Sequence, residues 1–507
     1  MKFSLLVSFI SLVAAAPRPN FEVDAFGSAF AFLDYGAFKG IVQDDTVSFL
    51  NIPFAAPPVG NLRFKAPQPP VPFFGIHDAT KYGNICKQTG AFGSGGVYGD
   101  EDCLNLNIYA PRDAFGLPVI VYVFGGGFND GSNQEPMFDG RNIIKENPNA
   151  VIVTINYRVN LFGWLGGLEL AQEGSVNAGL LDQAAAFQWV RKYIDVFGGD
   201  SSQITAMGES SGAISIGAHL LAKDGTQTLF DRAILLSGAA GMFYNTPASF
   251  NQHFVDFAAS VNCTVAPLLP CLRKLSADVL IAHKPNIQWN IIADGTYVKD
   301  ESLVELYAKD EFSKVPLLIN GDLNEGTIFT TGIQTEQQLF GFEASFLGFF
   351  TPDNLKTLQQ SYPVAGNPLG AFGAAADFFG DAIFNCPSTL FAEFYSKANI
   401  TVYKSINRHV PKKPAYQNAG PLGVYHGSEL PYVFQYSPLI DSTETAFARQ
   451  FTDSIINFAS GNAPQPNWPA YGNVRVDLET LKPESDGLSK NCQFLIGAIL
   501  QFFQSQH

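Results

Sequence analysis

Short apolar runs, rich in β-branched and aromatic residues, recur along the chain and alternate with stretches of helical spacing. These runs predict buried strands at residues 118–123, 150–155, 203–207, 233–236, 315–319 and 400–404. Helices are predicted at residues 180–197 and 213–221. Because strands alternate with helices, the pattern predicts an α/β fold in which helices cover both faces of a large, mostly parallel central sheet.

The N-terminal region has a different pattern. Residues 36–41 and 46–50 predict short strands in hairpins, and the proline-dense residues 53–72 predict an extended loop on the surface. Residues 1–16 have the parts of a signal peptide, with Lys2, an apolar stretch and three alanines at the end. No linker follows, so residues 17–507 are predicted to form a single domain.

Composition narrows the class of protein. Of the 507 residues, 46% are hydrophobic and 15% are charged, which is enough apolar material for a large core. The net charge of −15 argues against nucleic acid and anionic membranes as partners and favours a neutral or cationic substrate. No stretch is long enough for an integral membrane segment, so we predict a secreted, extracellular protein. Asn262 and Asn399 begin predicted glycosylation sequons. The sequence does not predict an oligomeric state.

The cysteine count agrees with an exported protein. An even number of cysteines in such a chain indicates disulfides, and six cysteines allow 15 pairings. Two pairs are close enough to close short loops, and the third would be long-range: Cys86 with Cys103, Cys263 with Cys271, and Cys386 with Cys492. No C-x-x-C pair or histidine cluster occurs, so neither a metal site nor a cofactor is predicted.

Candidate chemistry begins at residues 208–212, G-E-S-S-G, between the strand predicted at 203–207 and the helix at 213–221. In such a strand–turn–helix, the central serine, Ser210, lies on a strained turn with its hydroxyl exposed above the sheet. Glycines flank it because the tight bend leaves no room for Cβ atoms. The adjacent Glu209 is expected to affect the field around a catalytic base or to be a structural carboxylate.

A serine nucleophile requires a base, which in this arrangement lies downstream, after an acid. The candidate bases are His409, His426 and His507. His507 ends the chain, and His409 lies in a basic loop whose charges oppose an imidazolium. His426 lies in a glycine-flanked loop and is the preferred base. For the acid, Asp322 and Glu325 both follow the strand predicted at 315–319, and spacing alone does not choose between them.

An acyl-transfer site also requires donors for an oxyanion. The strand predicted at 118–123 leads into F-G-G-G-F at residues 124–128, where three glycines allow backbone N–H groups to point at one oxygen. The N–H of Ser211, the residue after the nucleophile, would complete this oxyanion hole.

These residues resemble the type-B carboxylesterase/lipase family, which includes cholinesterases and fungal lipases, over nearly the whole mature chain. Motifs similar to the family's are G-N-L-R-F at 60–64, E-D-C-L-N-L-N at 101–107, N-Y-R at 156–158, N-A-G-L-L-D-Q at 177–183, F-G-G-D at 197–200 and W-P at 468–469. The resemblance implies an α/β-hydrolase fold and a triad of Ser210, Glu325 and His426. It also implies an oxyanion hole of Gly126, Gly127 and Ser211 and the three disulfide pairs given above.

Two departures from the family's pattern affect the expected activity. Ser211 stands where the family usually has alanine, with its N–H unchanged. The loop between Cys86 and Cys103 has only 16 residues (87 through 102), shorter than the flap of family lipases. The phenylalanine-rich stretch at 339–350 resembles the family's gorge-lining segment, and ordinary core packing is the alternative.

We therefore expect a serine esterase acting on small-molecule, lipid-like or aromatic esters. An interfacial lipase or sterol esterase is the alternative, followed by a non-catalytic adhesion protein.

Overall fold

The computed structural model describes residues 21–90, 96–222, 228–240, 244–299, 303–346, 351–415 and 422–506. The predicted signal peptide, His507 and the phenylalanine-rich residues 347–350 lie outside these ranges. The side chains of Ser345 and Phe346 are also not described.

Sixteen strands are found in the described residues. They are β1 Glu22–Val23, β2 Ser28–Leu33, β3 Gly36–Gln43, β4 Thr46–Pro53, β5 Ile76–Asp78, β6 Gln88–Thr89, β7 Val97–Tyr98, β8 Asn105–Pro111, β9 Leu117–Val123, β10 Val151–Ile155, β11 Gly199–Glu209, β12 Arg232–Leu236, β13 Leu317–Asp322, β14 Val402–Asn407, β15 Val474–Asp477 and β16 Pro483–Ser485.

Fourteen of these strands form one sheet, in the order β1-β2-β3-β4-β8-β10-β9-β11-β12-β13-β14-β15-β16, with β5 beside β3. Strands β10 through β15 along this order are parallel, whereas the strands at both ends pair antiparallel, apart from β5, which is parallel to β3. The sheet is therefore mixed, and the predicted parallel arrangement holds for its centre. The strands predicted at 36–41 and 46–50 correspond to β3 and β4, and the six predicted after them correspond to β9 through β14.

The α-helices cover the sheet and connect its parallel strands. They are α1 Arg141–Glu146, α2 Asn160–Trp164, α3 Leu168–Gln172, α4 Ala178–Tyr193, α5 Ser211–Leu221, α6 Pro247–Ser260, α7 Leu269–Leu272, α8 Ala277–Ala282, α9 Leu303–Ala308, α10 Glu336–Phe346, α11 Pro352–Ser361, α12 Gly370–Gly380, α13 Cys386–Lys397, α14 Leu430–Val433, α15 Thr445–Ala459 and α16 Lys490–Gln506. The 3-10 turns are Gly60–Leu62, Pro136–Phe138, Ile194–Phe197, Thr327–Phe329 and Ser437–Leu439, and Asp381–Asn385 is a π-helical turn.

The centre of the sheet is the core of the molecule. Every residue of β10 is buried, and so are all residues of β9 except Leu117. Strands buried on both faces need apolar side chains at nearly every position, which explains why they read as almost continuous apolar runs in the sequence. Because neighbouring strands are parallel, β9, β11, β12 and β13 all end at the same edge of the sheet.

The proline-dense segment after β4 differs from the prediction of a surface loop. Its centre turns inward, so that Arg63 and Phe64 are buried. The Arg63 guanidinium donates to both carboxylate oxygens of Glu101 at 2.6 Å and to the carbonyl oxygens of Leu272 and Leu275. The prediction was wrong here because a paired arginine can lie in the interior when carboxylate and carbonyl oxygens satisfy its N–H groups.

The structure contains three disulfides, with the pairing that the resemblance implies: Cys86–Cys103, Cys263–Cys271 and Cys386–Cys492. Among the helices of the described ranges, none combines the length and apolar character that a membrane span needs.

Candidate active site

The turn between β11 and α5 has the geometry that the G-E-S-S-G motif predicts. Ser210 has a φ of 56°, a left-handed conformation that residues other than glycine seldom adopt. A Cβ atom at Gly212 would lie 2.1 Å from the carbonyl oxygen of Val123, and one at Gly208 would lie 2.6 Å from the carbonyl carbon of Gly212. Both glycines are therefore required by backbone contacts, and the Ser210 N–H is held by the Leu236 carbonyl oxygen at 3.0 Å.

The glycine loop, residues 124–128, follows β9 and lies against this turn. A Cβ atom at Gly125 would lie 2.9 Å from the Cβ of Ser210, which leaves no room for a side chain between loop and serine. Gly126 and Gly127 have φ values of 104° and 60°. Within the described residues, the N–H groups of Gly126, Gly127 and Ser211 donate to no protein acceptor. Three free N–H groups thus lie beside the serine.

His426 and Glu325 are in contact, although 101 residues separate them in the chain. The Glu325 Oε2 atom lies 2.7 Å from Nδ1 of His426, and the Asp322 N–H donates to Glu325 Oε1 at 2.7 Å. The loop after β13 is also joined to the histidine loop, because Asn324 and Val424 exchange backbone and side-chain hydrogen bonds at 2.9 and 3.0 Å. The carboxylate and the imidazole are therefore held by both loops.

The imidazole lies directly beside the serine turn. Its Nε2 atom is 3.1 Å from Oε1 of Glu209, the residue that precedes Ser210. This contact is not aligned as a hydrogen bond, and Nε2 has no hydrogen-bond partner within the described part of the chain. His426 and Ser210 are 8% and 9% exposed, so both lie in a nearly closed site. The second ring nitrogen is thus left available for a proton from a hydroxyl.

Asp322, the other candidate acid, has a supporting position. Its Oδ1 atom accepts from Asn407 Nδ2 at 2.9 Å, and its Oδ2 atom accepts from the Ser428 hydroxyl at 3.2 Å. Burial, together with the charges of Glu429 and Glu325, raises the pKa of Asp322 well above its ordinary value. Asp322 therefore braces both the Glu325 carboxylate, through its N–H, and the histidine loop.

Several buried carboxyl groups surround the imidazole and determine its charge. Burial alone would lower the pKa of His426, but Glu209 and Glu325 outweigh it and raise the pKa from 6.5 to about 9. Burial raises the pKa of Glu209 to about 8, opposed by the charge of His426. Burial also raises the pKa of Glu429, which accepts from the Ser237 hydroxyl at 3.3 Å. This environment stabilises an imidazolium.

Two phenylalanines that the sequence did not indicate pack on the imidazole. The Phe384 ring is stacked on His426 at 4.3 Å, and the Phe329 ring lies 5.1 Å from it. Phe384 belongs to the π-helical turn Asp381–Asn385, and such turns often occur at functional sites. Phe329 is 38% exposed and packs on Phe379, so apolar surface extends from the imidazole outward.

His409 is engaged elsewhere, for a reason other than the predicted one. Its Nε2 atom lies 2.9 Å from Glu444 and its Nδ1 atom 3.2 Å from Glu479, and its ring stacks on Phe447 at 4.3 Å. The sequence near His409 did not indicate these two carboxylates, which approach the ring in the fold. Both of its ring nitrogens face these partners, so His409 is not placed as a free base.

One cluster of potential metal ligands is found among the described residues, formed by Asp381, Cys386 and Cys492. Both sulfur atoms belong to the same disulfide, so neither is a thiolate that binds a metal.

Comparisons with known proteins identify the family of the chain. The profile of the carboxylesterase family matches residues 28–494. Para-nitrobenzyl esterase of Bacillus subtilis is 32% identical over 86% of this chain and 91% of its own length. Lipase 4 of Diutina rugosa is 30% identical over 93% of this chain and 92% of its own. The crystal structure of Aspergillus niger EstA matches with a TM-score of 0.84 and 27% identity, covering 95% of this chain and 99% of that chain.

The matched range contains the glycine loop, the serine turn and the loops that carry Glu325 and His426. The close structural match to EstA confirms the predicted α/β-hydrolase fold. The chain therefore belongs to the carboxylesterase family and is a carboxylic ester hydrolase.

Proposed function

We propose that this protein is a secreted serine carboxylesterase with a triad of Ser210, Glu325 and His426. The observation that carries the proposal is the 2.7 Å contact between Glu325 and Nδ1 of His426, beside a strained serine turn. The free N–H groups of Gly126, Gly127 and Ser211 support an oxyanion hole next to it. These parts supply a nucleophile, a base, an orienting acid and charge stabilisation.

The reaction would be a two-step acyl transfer. His426 takes the proton of Ser210 at Nε2 while the serine oxygen attacks the ester carbonyl, and Glu325 stabilises the imidazolium that forms. The negative oxygen of the tetrahedral intermediate accepts hydrogen bonds from Gly126, Gly127 and Ser211. The imidazolium then protonates the leaving alcohol, and the acyl group remains on Ser210. Water, activated by the same imidazole, releases the acid.

The substrate is proposed to be a dissolved ester of modest size with an apolar or aromatic group. The apolar surface formed by Phe384, Phe329 and Phe379 favours such a group beside the imidazole. The short loop between Cys86 and Cys103 is fastened at its base, because the Gln88 side chain and the Gly131 backbone exchange two hydrogen bonds of 2.9 and 3.0 Å. A fastened, short loop disfavours the opening that interfacial lipases require.

Export and glycosylation form part of the same proposal. Three disulfides are typical of chains that fold in an oxidising compartment. Asn262 and Asn399 are exposed and directly follow the C-terminal ends of helices α6 and α13, where an attached glycan would meet little steric resistance. A mass decrease on treatment with an endoglycosidase, lost in the Asn262→Gln and Asn399→Gln double variant, tests this part.

The triad is tested by matched substitutions assayed on 4-nitrophenyl esters of increasing acyl length. Ser210→Ala is expected to lower kcat about 10⁴-fold or more, and Glu325→Gln about 10³- to 10⁴-fold. Asp322→Asn is the control, because asparagine resembles the protonated carboxyl that burial favours there. Its Oδ1 can accept from Asn407, and its Nδ2 can donate to the Ser428 hydroxyl. Its kcat is expected to stay within about 10-fold of wild type.

Equal loss in Glu325→Gln and Asp322→Asn would contradict the assignment of the acid. Equal activity of the wild type and Ser210→Ala would contradict the assignment of Ser210 as the nucleophile. In the wild type, preference for short acyl chains supports the esterase proposal, whereas activity that appears only on long-chain emulsions would favour the interfacial lipase.

A further inference from the structure

The hydroxyl group of Ser211 has a role in this chain that its backbone N–H does not explain. Ser211 is the first residue of α5 and is 2% exposed. The N–H of Phe128 donates to its Oγ atom at 3.3 Å. An alanine at this position would offer no such acceptor. The side chain therefore joins the helix that follows the nucleophile to the far end of the glycine loop.

A second hydroxyl fastens the other end of the glycine loop. Tyr157 is fully buried, and its hydroxyl donates to the carbonyl oxygen of Phe124 at 2.7 Å. These two hydrogen bonds, from the Phe128 N–H to Ser211 and from the Tyr157 hydroxyl to Phe124, are together called the Ser211–Tyr157 clasp.

This Ser211–Tyr157 clasp spans the glycine loop from its first residue to its last. Phe124 precedes the three glycines and Phe128 follows them. Gly126, Gly127 and Phe128 all have φ values between 60° and 104°, which is an unfavourable conformation for a phenylalanine. Strained backbone persists only where surrounding contacts hold it. The loop therefore needs fastening, and the clasp supplies it at both ends.

We propose that the Ser211 hydroxyl is a positioning residue that, with Tyr157, holds the N–H groups of Gly126 and Gly127 in line with the N–H of Ser211. The inference rests on the proposed serine-esterase function, since it concerns the oxyanion hole of that reaction. An oxyanion hole of three donors works only if all three N–H groups point at one oxygen. A small displacement of the loop therefore reduces the stabilisation of the transition state more than it reduces the affinity for the substrate.

The test compares Ser211→Ala with Ser215→Ala. Ser215 lies one turn later on α5 and is also fully buried, but its hydroxyl donates to the Ser211 carbonyl oxygen and does not contact the glycine loop. Relative to Ser215→Ala, we expect Ser211→Ala to lower kcat for 4-nitrophenyl acetate about 10-fold with little change in KM. The affinity for a trifluoromethyl ketone, whose adduct with Ser210 carries an oxyanion, should fall by a similar factor.

Tyr157→Phe removes the other half of the clasp and should produce a similar loss. The double variant should lose less than the product of the two single losses, because both act on the same loop. Ser211→Cys, which keeps the volume but offers a weak acceptor, replaces Ser211→Ala if that variant does not fold.

A decrease of less than about threefold in kcat and ketone affinity, relative to Ser215→Ala, overturns the inference. Multiplicative losses in the double variant also overturn it. These outcomes are distinct from failure of the proposed function, in which Ser210→Ala would be as active as wild type.

Discussion

Replacing Glu209 with glutamine would test whether the buried carboxylates determine the protonation of His426. Glu209 Oε1 lies 3.1 Å from Nε2 of His426, and Glu325 Oε2 lies 2.7 Å from Nδ1. Glutamine preserves the shape of the side chain and removes its charge. We expect the pKa of His426 to fall in the Glu209→Gln variant, because the imidazolium loses one of the two carboxylates beside it.

The size of the expected decrease in the pKa of His426 follows from the charges beside the imidazole. Burial lowers the pKa of His426, yet the carboxylates raise it from 6.5 to about 9. The difference between these values favours the imidazolium by roughly 3 kcal/mol. An opposite charge at this distance changes a pKa by about 1 to 3. We therefore expect His426 in the variant to titrate at a pH about 1 to 3 lower than in the wild type.

The pH dependence of kcat/KM for 4-nitrophenyl acetate measures this change, because it reports the base in the free enzyme. Only a neutral imidazole accepts the proton of Ser210, so activity is lost as pH falls through the pKa of His426. The kcat/KM of the wild type should therefore reach half of its plateau value near pH 9. In the variant the same rise should occur at lower pH, with a lower plateau because the imidazolium of the transition state is less stabilised.

Glu479→Gln is the matched control. It removes an exposed carboxylate that lies 3.2 Å from His409, a histidine outside the site, and should leave the profile unchanged. A Glu209→Gln profile that overlays the wild type, or rises at higher pH, would refute the reasoning that Glu209 stabilises the charged imidazole.

Two further predictions concern the scaffold of the site. Gly212→Ala would place a Cβ atom 2.1 Å from a backbone oxygen, and is expected to lower the free energy of unfolding by about 3 kcal/mol and kcat by about 100-fold. Gly341→Ala, on an exposed residue within α10 with open space around it, should raise the free energy of unfolding by about 1 kcal/mol and leave kcat unchanged, as measured by urea denaturation and ester assay. Replacing Cys386 and Cys492 by serine removes a cross-link over 106 residues and should cost about 2–5 kcal/mol in the same denaturation experiment. The loss should exceed that for the disulfide spanning 8 residues, and the reverse order would contradict the loop-entropy explanation.

The central strands and the serine turn could be predicted from sequence because their signals are local. Strand β9 was predicted at residues 118–123 and is found at Leu117–Val123, and β12 was predicted at 233–236 and is found at Arg232–Leu236. Fully buried strands need apolar residues at nearly every position, so their composition indicates them without knowledge of their neighbours. The contact that requires Gly208 is equally local, since a Cβ atom there would lie 2.6 Å from the backbone of Gly212. Gly212 could be predicted from the G-E-S-S-G motif, although the atom it faces belongs to Val123.

Contacts between distant segments could not be predicted in this way. Phe384 stacks on His426 because a π-helical turn inserts an additional residue between α12 and α13, and nothing in residues 381–385 indicates that turn. Likewise, the basic neighbours of His409 suggested an unfavourable environment, whereas the fold brings Glu444 and Glu479 to its ring. The charges next to a residue in the sequence therefore do not indicate which charges lie next to it in the folded protein.

Asp322 and Glu325 cannot be distinguished by their positions in the sequence, but their contacts in the fold differ. Asp322 is the last residue of β13 and Glu325 lies three residues beyond it, so either satisfies the expectation for an acid at the end of a strand. The fold separates them, because the Asp322 N–H binds Glu325 Oε1 and directs Oε2 toward His426. Asp322 itself accepts from Ser428, two residues beyond the histidine. One carboxylate therefore contacts the base while the other secures the loop that carries it, and the two roles follow from how β13 and the histidine loop pack together.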